Sequence, residues 1–198
     1  MTDAATRTEP GGTRLVLAAH PHVDRDWAKG RERELELDRR LDEDAHATGD
    51  LVALHHRRLP DTGEVADHVV VGPSGVWVVV APDLRGPVRH VDVGGWLRSD
   101  WKLLIGGRDR SDLVVGVRRR VEAVRALVAA GPVGDLPVRG VLCCVSGEFG
   151  WRFQPFELDE VVVTWPTSLR SLVRAPGPVS SFRRTIVSVW LDAQLPPT

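Results

Sequence analysis

Apolar residues recur at steps of three and four through "SDLVVGVRRRVEAVRALVAA", residues 111–130, at Leu113, Val117, Val121, Val124 and Val128. That period predicts an amphipathic helix, with Ser111 as its N-cap and Gly131 as its stop. A different pattern governs "VVVGPSGVWVVV", residues 69–80. Two unbroken apolar runs flank Gly72-Pro73-Ser74-Gly75, so the stretch reads as two strands joined by a tight turn. Asp67 and His68 stand at the entrance of the first strand, and Pro82 closes the second. "VRGVLCCVSG", residues 138–147, is a continuous apolar run bounded by Gly and polar residues and reads as a buried central strand.

Weaker patterns fill in the rest. "DRDWAKGRERELELDRRLDED" is charged and rich in helix formers, with Trp27, Leu35, Leu37 and Leu41 as an imperfect apolar stripe. It predicts a helix from Asp24 to Asp44, ending before Gly49. "LVALHHRRL", "PVRHVDVGG", "WKLLIGG" and "EVVVTW" are strand candidates. "PTSLRSLVR" opens with a proline where a helix tolerates one. "VSSFRRTIVSVWLDAQL" closes the chain as a helix, with Phe182, Ile186 and Val189 or Trp190 facing inward. Residues 1–22 lack apolar periodicity and are expected to be weakly ordered, which leaves 23–198 as one domain. The order of elements predicts an α/β (α+β) class, with one mixed central sheet flanked by helices.

Composition narrows the function only slightly. The 198 residues are 42% hydrophobic, enough for a core of ordinary size. A formal net charge of -1 gives no whole-molecule attraction to nucleic acid, so such binding needs a local basic patch. Lys29 and Lys102 are the only lysines. Cys143 and Cys144 are adjacent, and neighbours on a strand point to opposite faces, so both read as core thiols. No run approaches the roughly 20 apolar residues of a spanning helix, and no signal peptide is evident. The expected location is cytoplasmic, without a membrane. The pairs His20, His22 and His55-His56 come without the Cys or His partners of a tetrahedral zinc site, and neither is read as one.

From Trp27 to Leu172 the chain resembles the nuclease-related domain family, NERD, which is assigned to the PD-(D/E)xK nuclease superfamily. The resemblance rests on "ADHVVVGPSGVWVV", on "LLIGGRDRSDL" before the long helix and on "VRGVLCCV" after it. It implies a restriction-endonuclease-like fold and a phosphodiesterase site dependent on Mg²⁺ or Mn²⁺. Such a metal takes hard oxygen ligands, activates a water and neutralises phosphate charge, while a lysine polarises the water.

Residue by residue, what the resemblance implies is divided. The family's helical Glu matches Glu34, with Arg33 where a glycine usually precedes it. The strand Asp matches Asp67, and His68 follows it as in the family. The acid of the second strand falls on Val80, its lysine on Pro82, and a glutamine of the long helix on Arg120. Asp67 and Glu34 are thus the remnant catalytic and metal-binding residues. Asp83 and Lys102 are the substitutes that a bend at Pro82 or a neighbouring strand would have to supply.

Plainer readings stand beside these. Asp67 caps a turn or pairs with an arginine, Glu34 lies on a solvated face, and His68 is a core histidine. Arg108, Arg110, Arg119 and Arg120 form either a phosphate-binding patch or a solvated helix face. Trp96 and Trp101 stack on bases or are buried. Three functions follow: a catalytically degenerate domain that binds DNA, RNA or a protein partner and needs no cofactor; an active metal-dependent nuclease with relocated residues; or a structural or regulatory module.

Overall fold

A computed structural model describes residues 21–198 apart from 61, 97 and 151–153, with side chains described from residue 31 onward. The expected weak order of the N-terminal segment lies outside the described residues, as does the side chain of Trp27. Helix α1 (Pro21–Thr48) leads into strands β1 (Val52–Arg58), β2 (Val65–Gly72) and β3 (Gly75–Val80). Strands β4 (Gly86–Asp92), β5 (Trp101–Ile105) and β6 (Arg108–Asp109) come next, then helix α2 (Ser111–Ala130). Strands β7 (Val138–Cys143), β8 (Gly147–Glu148), β9 (Phe156–Leu158) and β10 (Val161–Thr164) precede helices α3 (Pro166–Val173) and α4 (Ser181–Gln194).

The central sheet runs β1-β2-β3-β7-β10-β9 and is mixed. β2 pairs antiparallel with both β1 and β3, whereas β3 and β10 each lie parallel to β7. The middle strands are apolar on both faces because both faces are covered. Val69, Val71, Val76 and Val78 pack with Val117, Val121 and Val124 of α2 and with Val187 and Leu191 of α4. Val70, Trp77 and Val79 pack on the other side, with Leu37 and Leu41 of α1 and Leu169 and Val173 of α3. Cys143 and Cys144 divide between these two cores as free buried thiols. Burial pushes the Cys144 thiol up to about 12.

Two glycines set close approaches. Gly75 closes the β2–β3 turn at φ +134, where a Cβ would lie 2.3 Å from the carbonyl oxygen of Pro137. At Gly140 a Cβ would meet Val117 Cγ1 at 2.8 Å, so this glycine lets α2 settle onto β7.

Four details differ from the sequence reading. β4 and β5 do not join the central sheet; they form a second sheet, ordered β6-β5-β4-β8. β3 already has β2 and β7 as its two neighbours, and β4 buries only Val88, too little apolar surface for a central strand. The N-cap of α2 is Arg110 rather than Ser111, whose hydroxyl instead accepts the Leu103 N–H at 3.1 Å. In α1, Leu35 is exposed, and the inward stripe carries Asp38 and Asp44 among the leucines.

In α4 the inward stripe is Arg184, Val187, Ser188 and Leu191, while Phe182 and Val189 face solvent. Arg184 is tolerated there because its guanidinium meets Asp50 Oδ1 and the Val179 carbonyl oxygen, each at 2.6 Å. Among the described residues no helix is long and apolar enough to cross a membrane.

Candidate functional site

The end of the β2–β3 hairpin opposite its turn gathers most of the ionisable groups of interest. The pairing of His68 with Val79 puts Asp67 opposite Val80. Asp67 turns its carboxylate across the strand end, and Oδ2 accepts the Ala81 N–H at 2.6 Å. Burial pushes the Asp67 carboxyl above its ordinary range, although the Ala81 N–H and the Arg120 guanidinium pull the other way. Glu34, on α1, is likewise raised, first by burial and then by the charge of Asp67. The fold therefore brings Glu34 and Asp67 into one electrostatic neighbourhood.

The two substitutes are engaged elsewhere. The Asp83 carboxylate takes the Ser146 hydroxyl and lies 3.4 Å from Arg33 Nη1. Lys102 is on β5 of the second sheet, with Nζ 3.7 Å from Asp100 Oδ1.

Of the arginines, Arg119 pairs with Glu64 at 2.8 Å. Arg120 donates to the carbonyl oxygens of Val65 and Gly116 at 2.8 and 2.9 Å. Arg108 lies on β6 and Arg110 caps α2, so Arg119 stands about 13 to 14 Å further along the helix axis. Trp96 and Trp101 are both exposed on the β4–β5 hairpin, Trp96 at 93%.

A second group of side chains, which sequence reasoning did not bring together, lies between α1 and the sheet. His55 and His68 are directly paired across β1 and β2 and present Nδ1 to Nδ1 at 3.0 Å. Asp38 of α1 brings Oδ1 to 3.3 Å from the first and 3.2 Å from the second. The outer nitrogen of His55, Nε2, lies 2.9 Å from Asp42 Oδ1. His56 would face away from its neighbour in a regular strand, but its φ of 48 swings it in, and Nε2 reaches Asp38 Oδ2 at 3.1 Å. Its Nδ1 lies 3.8 Å from Glu34 Oε1, which links this group to the Glu34–Asp67 neighbourhood.

Electrostatics in this group follow from burial and opposite charge. His68 is completely buried, and burial holds its imidazole neutral, with a pKa of about 3. Burial opposes the ionisation of Asp38, but the surrounding histidines outweigh it and keep the carboxyl below its ordinary range. Burial likewise disfavours a cationic His55, but Asp38 and Asp42 outweigh it and raise the ring. The sequence reading of His55-His56 as a pair without partners is corrected here: the partners are His68 and the acids of α1. The one signal for them was the position of His55 opposite His68 in adjacent strands.

The model of the nuclease-related domain matches residues 29–145. The chain belongs to the nuclease-related domain family. In this NERD chain the matched span runs from α1 through β7 and so contains Glu34, Asp67 and the whole hairpin. Searches among curated proteins and among solved structures gave no match.

The Mg²⁺ that the wider superfamily implies has a poor seat around Asp67. One oxygen of the carboxylate is taken by a backbone N–H, and the side chains of Val80 and Pro82 offer neither a carboxylate ligand nor a cation. The residues present at that point do not fit the group.

Proposed function

We propose that this NERD domain no longer hydrolyses phosphodiesters and works by binding, its ligand a nucleic acid or a protein partner. The observation that carries this is the use of Asp67: its carboxylate closes the end of the hairpin on Ala81, beside Val80 and Pro82. Metal-assisted hydrolysis needs a carboxylate set that holds the cation and a compact positive charge near the attacking water. Asp83 is held by Ser146 and Arg33, and Lys102 stands on β5 of the second sheet beside Asp100, so on this reading neither takes the role that the second strand lacks. Phosphate contacts by Arg119 and Arg120 would have to compete with Glu64 and with backbone carbonyls.

The test is cleavage of single- and double-stranded DNA and RNA in Mg²⁺ and in Mn²⁺, wild type beside Asp67→Ala. No metal-dependent cutting above that of Asp67→Ala is expected. Cutting that disappears in the variant overturns the proposal and points to an active nuclease. A shift of labelled DNA or RNA that weakens with salt identifies nucleic acid as the ligand; its absence leaves a protein partner.

A further inference from the structure

The geometry points to a transition-metal site, distinct from the position at Asp67, in which His55 Nδ1, His68 Nδ1 and Asp38 Oδ1 bind one divalent ion of the Zn²⁺ class. These three atoms form a triangle with edges of 3.0, 3.2 and 3.3 Å. Bonds of about 2.0–2.1 Å at tetrahedral angles put neighbouring ligand atoms about 3.3 Å apart, and at octahedral angles about 3.0 Å. Among the described residues, this is the group of His, Cys, Asp and Glu with ligand atoms close enough to share an ion.

Three further observations favour an ion over a hydrogen-bonded network. First, Asp38 Oδ1, the apex of the triangle, is buried and lies 3.2 and 3.3 Å from two ring nitrogens without a well-aligned hydrogen bond to either. A buried carboxylate oxygen without a well-aligned partner is costly, and a cation removes that cost.

Second, the outer atoms of two ligands are pinned from behind. His55 Nε2 rests on Asp42 Oδ1 at 2.9 Å, the carboxylate–histidine arrangement that leaves Nδ1 as the lone-pair nitrogen facing inward. Asp38 Oδ2 is held by His56 Nε2 at 3.1 Å. Third, His56 takes a left-handed φ of 48 to make that contact, a conformation that a non-glycine residue adopts only at some cost.

The ligand set selects the ion. Two imidazoles and one carboxylate suit Zn²⁺, Fe²⁺ and their neighbours, whereas Mg²⁺ prefers oxygen. Three protein ligands also leave at least one coordination position for water or an incoming group. Asp38 and His55 are 16% and 19% exposed, so the group lies close to the surface rather than at the centre of the core. The site is independent of the nuclease reading: it uses neither Asp67 nor the positions of Val80 and Pro82.

The experiment is equilibrium dialysis of the chelator-treated chain against Zn²⁺, with metal measured by elemental analysis and Co²⁺ used as the spectroscopic probe. Wild type is expected to hold one ion per chain, unaffected by excess Mg²⁺, and to give the visible Co²⁺ bands of a low-coordinate nitrogen site. His55→Ala should lose nearly all of this binding, and Asp42→Asn should weaken it about 10–100-fold. Asp67→Asn should bind as wild type does. No metal uptake by wild type, displacement by Mg²⁺, or unchanged binding in folded His55→Ala overturns the proposal. Should His55→Ala fail to fold, Asp42→Asn carries the same decision, because Asp42 is half exposed at 52%.

Discussion

Asp67 Oδ2 accepts the backbone N–H of Ala81 at 2.6 Å, across the open end of the β2–β3 hairpin. An amide oxygen can accept the same bond without carrying a charge. Because burial raises the folded pKa of Asp67, its ionisation opposes folding. Its stabilising share is complete in acid, below the unfolded pKa, and is lost as pH rises through the folded value. Asp67→Asn is therefore expected to melt above wild type at neutral pH, with the difference shrinking in acid. Asp67→Ala leaves the Ala81 N–H unpaired and should cost about 1–3 kcal/mol. Thermal melts across the acid range check both signs.

Asp44 of α1 is 3% exposed and receives Arg170 of α3 through Nε at 2.5 Å and Nη2 at 2.6 Å. These bonds hold the Asp44 carboxyl below its ordinary range. A depressed acid contributes stability that is present above its unfolded pKa and lost as pH falls through the folded one. Asp44→Ala removes the carboxylate that receives Arg170, whose side chain is 32% exposed, and should cost about 1–3 kcal/mol at neutral pH. The gap from wild type should begin to narrow below about pH 4 and close only once pH falls below the depressed folded value. Urea melts at several pH values measure it.

The inward face of α4 gives a paired test. Leu191 is fully buried against the sheet, whereas Phe182 is 73% exposed. Leu191→Ala should cost about 2–5 kcal/mol. Phe182→Ser should stay within about 0.5 kcal/mol. In a chain of this size each kcal/mol moves the melting temperature by about 2–4 °C, so calorimetry separates the two.

The parts of the fold that were legible in the sequence are those whose signal is local. The period of α2, the turn at Gly72–Gly75 and the apolar run of β7 each announce an element within a short window. The second sheet was not legible, because pairing is decided by which neighbours β3 already has. The face of α4 was misread because a buried Arg184 looks like a surface residue until Asp50 is seen beside it.

At the site, Asp67 and the residues on β3 stand in one motif and were named together. The histidine group was missed for two physical reasons. Asp38, His55 and His68 lie on three different elements, and the alternation rule that assigns strand faces fails at the positive φ of His56.

Strand β3 meets its two neighbours by very different routes. β2 is reached through the turn Pro73-Ser74, a closure that fixes hardly any chain. β7 is reached only after β4, β5, β6 and the whole of α2 have been traversed, and its parallel ladder from Val76 to Val80 cannot begin before that excursion ends. Loop closure of that length carries an entropic toll ahead of any contact that rewards it. The hairpin is thus the β3 contact with the lowest closure cost. Pairing β3 with Val138–Leu142 is therefore the contact of higher closure cost, and in the folded chain it is covered by α2, whose Val117 and Val121 lie over Gly140.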